Sequence, residues 1–187
     1  MSSGENLVWV DLEMTGLDPD QCTIVEIATI VTSSELDVIA EGPCLVVHQP
    51  DSVLNGMVEE VRQLHTRSGL LDRIRESDLS LAEAERQSLA FVERHCREGK
   101  SPLCGNSIWK DRQFLERYMP SLAGFLHYRV IDVSSIKELA RRWYGERGEA
   151  PDKAGNHRAL DDIRESIEEL RWYRAQLFVD PKKLPAD

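Results

Sequence analysis

The chain has 187 residues, 41% hydrophobic and 30% charged, with a formal net charge of -10. That length and mix predict one domain with a substantial core over residues 1–178, followed by a tail over 179–187. The acidic balance argues against a basic track for a long nucleic acid, because phosphate neutralisation dominates such binding; a very short one held by a few local cations stays compatible.

No apolar run approaches the roughly 20 residues of a membrane helix. The first residues carry neither a basic lead-in nor an apolar signal core, so a cytoplasmic protein without a membrane partner is expected. Cys22, Cys44, Cys96 and Cys104 are scattered with no C-x-x-C pair, which argues against a zinc site.

Residues 7–13 read as a first strand, Leu-Val-Trp-Val-Asp-Leu-Glu, closed by a turn at Thr15-Gly16. Strand side chains alternate faces, so Asp11 and Glu13 project together and Val10 and Leu12 pack on the other side. Two adjacent carboxylates repel unless a proton or cation intervenes, and oxygen ligands suit magnesium or manganese. Residues 23–32 are apolar and β-branched and predict a central strand. Residues 38–48 resume the pattern, which gives a three-stranded antiparallel meander.

Leu54 to Arg75 reads as helix interrupted near His65–Gly69. Ser80-Leu81-Ala82-Glu83 is a capping box opening a helix to about Arg97. Residues 102–105 predict a short buried strand, 111–118 a helix ended by Pro120, and 128–133 another strand. Ser134 or Ser135 is the expected cap of a helix to Tyr144. Glu146–Asn156 is a loop, and Leu160, Ile163, Ile167, Leu170 and Leu177 form the apolar stripe of a last helix. Strands followed by alternating helices and strands predict an α/β fold, a mixed sheet flanked by helices.

Two later acidic sites are candidate partners for Asp11 and Glu13: Asp111, at a helix start, and the pair Asp161-Asp162 after His157. Acidic residues in a first helical turn are also favoured by the helix dipole alone. On an ideal helix, positions five apart differ by about 140°. Either His157 lies in a non-helical lead-in, or Asp161 is its same-face neighbour.

Taken together, D-x-E at residues 11–13, Asp111 and H-x4-D at 157–162 resemble the DEDDh family of 3′-to-5′ exonucleases. Within it the chain is most similar to the oligoribonuclease family, through Trp9–Asp18, Gly105-Asn106-Ser107, His127–Arg129, Ile131–Ser134, Lys137–Tyr144 and His157–Ser166. The resemblance implies a ribonuclease H-like sheet with Asp11, Glu13, Asp111 and Asp162 holding two divalent ions, Mg2+ or Mn2+, and His157 as general base. It makes Asp162, rather than Asp161, the ligand. The implied reaction converts very short RNA, dinucleotides above all, to nucleoside 5′-monophosphates. It further implies a homodimer, with Ser107 at the terminal phosphate and Tyr128, Arg129 and Ser134 reaching in from the partner. His65 is an expected substrate contact. Leu17 is an expected wedge against the bases, with Val61 or Leu64 beside it, because Glu60 stands where many relatives carry an aromatic. The alternatives are a DNA proofreading exonuclease and a non-catalytic RNA-binding module.

Overall fold

The computed structural model describes residues 5–151, 158–179 and 183. Most of the expected tail, and His157 with it, lie outside the described residues. Among those described, no helix is long and apolar enough to cross a membrane.

A single five-stranded sheet has the order β3-β2-β1-β4-β5. The antiparallel meander comprises β1 (Leu7–Met14), β2 (Ile24–Thr32) and β3 (Val38–Val46). Parallel pairing adds β4 (Pro102–Gly105) to β1, and β5 (His127–Asp132) to β4. The expected mixed sheet is therefore present, with β1 rather than β2 at its centre. β2 is nonetheless buried along its whole length, as its β-branched run predicts.

The helices are α1 (Asp51–Leu54), α2 (Glu59–Arg67), α3 (Leu70–Glu76), α4 (Leu81–Glu93), α5 (Ile108–Tyr118), α6 (Pro120–Phe125), α7 (Val133–Tyr144) and α8 (Ala159–Leu177). His65 belongs to α2, and the break falls later, at Gly69 with φ of 70°. Glycine takes that left-handed conformation without a Cβ clash. Ser80 accepts the Glu83 amide at 3.2 Å, as the capping box requires, but α4 stops at Glu93, short of Arg97. Neither Ser134 nor Ser135 caps α7. Strand β5 runs straight into that helix, so Asp132 holds the cap position and accepts the Ser134 amide at 2.9 Å.

Alternation along β1 divides the core. Val8, Val10 and Leu12 face α4, α5 and α6 through Phe91, Val92, Phe114, Leu115 and Leu122. Leu7 and Trp9 face α7 and α8 through Val133, Ala140, Ile163, Ile167 and Tyr173. Fully burying one such side chain stabilises the fold by about 1.5–3 kcal/mol, so two apolar layers clamp β1 firmly. Gly105 closes the approach between β4 and α5: a Cβ there would sit 2.8 Å from Ile108 Cδ1 and 3.1 Å from the Val10 carbonyl oxygen.

Candidate active site

The alternation that sends Trp9 toward α8 sends Asp11 and Glu13 the same way. They meet Asp162, which sits in the first turn of α8. One carboxylate oxygen from each of Asp11, Glu13 and Asp162 lies within 4.8 Å of the others. Asp161 turns away and pairs with Arg164 at 2.9 Å. Of the two adjacent aspartates, Asp162 therefore joins the cluster.

Asp111 reaches the same strand end from α5. It is buried, and its Oδ1 accepts the Leu12 amide at 3.0 Å, between the two carboxylates of β1. It lies beside the three-carboxylate cluster and is tied to its backbone.

Burial is the first cause of the site's electrostatics and mutual repulsion the second. Burial, then the charges of Asp111, Glu13, Asp162 and Glu26, holds the Asp11 carboxyl well above the carboxylate range. Burial and Glu26 push Glu13 up to about 8. Burial pushes Asp111 up to about 7, against the lowering effect of its backbone hydrogen bonds. Carboxylates this crowded need protons or cations. An all-oxygen donor set fits a hard divalent ion and suits soft, thiolate-seeking metals poorly.

His65 is 1% exposed. Its Nε2 lies 2.8 Å from the Met14 carbonyl oxygen, so that nitrogen carries the proton and donates. Its Nδ1 is 3.9 Å from Glu13 Oε2, too far for a hydrogen bond, and burial lowers the pKa of the ring. The expected substrate contact is thus a neutral imidazole packed beneath the end of β1. Helix α2 turns it inward, where it braces Met14 beside Glu13.

The parallel strands β1, β4 and β5 end on one side of the sheet, where open α/β sheets bind ligands. Ser107 follows β4 and Ser134 follows β5, and their hydroxyls lie 3.1 Å apart. The Ser107 amide donates to Asp132 Oδ1 at 3.0 Å and to Ser134 Oγ at 2.6 Å. Neighbouring strands of one chain thus put Ser134 beside that chain's own Ser107. Asn106 Nδ2 ties the loop to α8 through Ser166 at 2.8 Å and Glu169 at 3.1 Å.

Tyr128 and Arg129 occupy the exposed outer strand, where the guanidinium stacks 5.3 Å from the ring centre. Leu17, just past β1, is 67% exposed. Glu60 is exposed on α2, and Val61 is partly used in packing against the cluster around Leu54 and Ile74.

Residue-by-residue reading missed Glu26, Arg73 and Asp132. A signal existed for Glu26, because a charged residue inside a fully buried strand needs a partner. No local signal pairs it with Arg73, forty-seven positions later. Asp132 is both the last residue of β5 and the cap of α7, and its capping role depends on where β5 ends.

Residues 8–170 match the Exonuclease family RNase_T. The oligoribonuclease of Marinobacter nauticus is 56% identical over 178 residues, covering 95% of this chain and 99% of the relative. The Vibrio cholerae oligoribonuclease is 56% identical over 176 residues, covering 94% and 97%. In structure, Escherichia coli exonuclease I in complex with a 5cy-dT13 oligonucleotide superposes with a TM-score of 0.70 at 16% identity. That match covers 93% of this chain but only 41% of exonuclease I, and it shows a shared ribonuclease H-like fold. With a family match across nearly the whole chain and relatives of its own length, this chain belongs to the exonuclease family, in its oligoribonuclease branch.

Proposed function

We propose that the chain is a 3′-to-5′ exoribonuclease that degrades very short RNA, dinucleotides above all, to nucleoside 5′-monophosphates using two divalent ions. One observation carries this reading: the Asp11, Glu13 and Asp162 oxygens converge within 4.8 Å at the strand ends that also carry the Ser107–Ser134 hydroxyl pair. The name shared by relatives at 56% identity supports the choice of short RNA, and so does a net charge of -10, which disfavours long strands.

In this reading Asp11, Glu13, Asp111 and Asp162 hold Mg2+ or Mn2+. Divalent cations there supply positive charge to the phosphoryl group and to the attacking and leaving oxygens. His157 removes the proton of the attacking water, a general-base role that imidazole commonly fills. The water oxygen bonds to phosphorus, and the 3′-oxygen of the preceding nucleotide leaves. Ser107 and Ser134 of one chain receive the terminal phosphate. Tyr128 and Arg129 come from a second copy docked along β5, an edge that leaves Tyr128 and Trp143 72% and 70% exposed. Arginine forks onto a phosphate and so selects for length. Leu17 and an aliphatic neighbour on α2 bracket the bases.

A length series of 5′-labelled RNA from two nucleotides upward, with Mg2+ or with EDTA, tests the reading. Preferential, metal-dependent cleavage of the dinucleotide is expected. Equal turnover of long single-stranded DNA would replace it with a DNA-trimming role, and no turnover of any substrate would replace it with a binding role.

A further inference from the structure

Leu17 is exposed on the loop that joins β1 to β2. An apolar side chain there braces a flat base best when its backbone is already held still, because ordering a loop at binding subtracts from affinity. Before Leu17 the loop is clamped by the Thr15 amide on the Thr23 carbonyl at 2.9 Å and by the Thr23 amide on Thr15 Oγ1 at 3.0 Å. After it, the amides of Gln21 and Cys22 donate to the Asp18 carbonyl at 3.1 and 2.7 Å. A further fastening comes from outside the loop, at the last residue of α5. The Tyr118 hydroxyl lies 2.6 Å from the Cys22 carbonyl oxygen and 2.9 Å from that of Pro19. A phenol carries one proton, so it serves the two carbonyls as a shared donor and draws both sides of the turn to one point. Its ring stacks on Phe114, with 6.0 Å between centres, and packs against the core. Arg117 adds an ion pair with Asp20 at 2.7 Å, but both side chains face solvent and such pairs contribute little.

We propose that Tyr118 is a positioning residue for the substrate: its hydroxyl holds the turn at Pro19 and Cys22, and with it Leu17, in the shape that receives the bases. Helix α5 then serves both halves of the site. Its first turn carries Asp111, fastened to the Leu12 amide at 3.0 Å beside the carboxylates, and its last residue fastens the Leu17 loop. The metal ligands and the base wedge are thereby referred to one rigid element. Core packing accounts for the Tyr118 ring, but not for a hydroxyl within hydrogen-bond reach of two carbonyls of this loop.

The inference rests on the base contact proposed for Leu17, and dinucleotide kinetics separate the two when wild type, Tyr118→Phe, Leu17→Ala and the double variant are compared. Tyr118→Phe keeps the ring and its stack and removes only the hydroxyl. It is expected to raise KM about 2- to 10-fold, the scale of one neutral hydrogen bond, with kcat and Mn2+ affinity unchanged. In the Leu17→Ala background it should add nothing, because no wedge is left to position. Amide hydrogen exchange at Gln21 and Cys22 should quicken in Tyr118→Phe, while exchange at Leu12 stays as it was. If Leu17→Ala leaves KM unchanged, the base contact is refuted and the inference falls with it. If Leu17→Ala raises KM and Tyr118→Phe does not, the inference alone is overturned. An equal rise in both backgrounds also overturns it, since a general loosening would produce that. So does weaker Mn2+ binding by Tyr118→Phe, which would move the effect to the Asp111 end of α5. Unchanged exchange at Gln21 and Cys22 overturns it without reference to activity.

Discussion

Asp111 Oδ1 accepts the backbone amide of Leu12 at 3.0 Å, so the first turn of α5 is fastened between Asp11 and Glu13. The same carboxylate therefore has a structural half and an electrostatic half, and substitutions separate them. Asp111→Asn keeps an acceptor for Leu12 and removes the charge. It should leave metal-free stability unchanged or higher while lowering dinucleotide turnover by roughly 10²-fold or more, the scale of lost transition-state electrostatics. Asp111→Leu orphans the Leu12 amide as well and should cost about 1–3 kcal/mol in denaturant unfolding. A stable Asp111→Leu chain would show that the hydrogen bond contributes little.

The metal-free protein should lose stability as pH rises. Glu13 is raised to about 8 and Asp111 to about 7, mainly by burial, and Asp11 is raised too. Each binds its proton more tightly folded than unfolded. Their contribution is thus fully present below the unfolded values of 4.5 and 3.8, and is lost as pH passes the folded values. His65 acts oppositely, since its lowered pKa favours the fold above 6.5. Between pH about 6.5 and 8 the carboxylates dominate. Melting temperature in EDTA should fall across that window, and added Mn2+ should remove most of the slope. A rise in EDTA would contradict the assigned causes.

Ser134 and Arg129 should behave differently in mixed dimers. A chain carrying Asp11→Asn is expected to be inactive, so in a heterodimer with a wild-type chain only the wild-type site should turn over. Adding Ser134→Ala to the inactive chain should leave that site unaffected, because its own Ser134 lies 3.1 Å from its own Ser107. Adding Arg129→Ala to the inactive chain should instead raise the dinucleotide KM, by roughly tenfold or more for a charged hydrogen bond. Equal effects would remove the distinction, and a chain that is active as a monomer would eliminate the role given to a partner's Arg129.

Base contact should be improvable. Glu60 is exposed on α2, where an aromatic can be installed with little disturbance to the core. Glu60→Trp should lower the dinucleotide KM by an amount equivalent to roughly 1–3 kcal/mol of stacking. Leu17→Ala should raise KM with almost no change in melting temperature, since Leu17 is 67% exposed. If neither variant alters KM, the bases are held elsewhere.

The site's main features were legible because they rest on local rules. D-x-E in a strand puts two carboxylates on one face, and the last helix shows its buried stripe through Ile163, Ile167 and Leu170. Boundaries failed where local preference met a neighbour. Ser134 looks like a cap, yet Asp132 holds that position because β5 ends directly in α7. His65 looks like a loop residue before Gly69, yet α2 carries it inward to the Met14 carbonyl.

Alternation, helical periodicity and the D-x-E and H-x4-D spacings come from steps of one to five residues along the chain. They settle the strand-then-helix order and the facing of Asp11 and Glu13 before any long-range contact forms. The choice of Asp162 over Asp161, the pairing of Ser107 with its own Ser134, and the burial of Glu26 against Arg73 depend on strands and helices far apart in sequence. These were decided only when parallel β4 and β5 docked beside β1 and α8 packed across it, because hydrogen-bond partners are chosen in space and local periodicity does not record them.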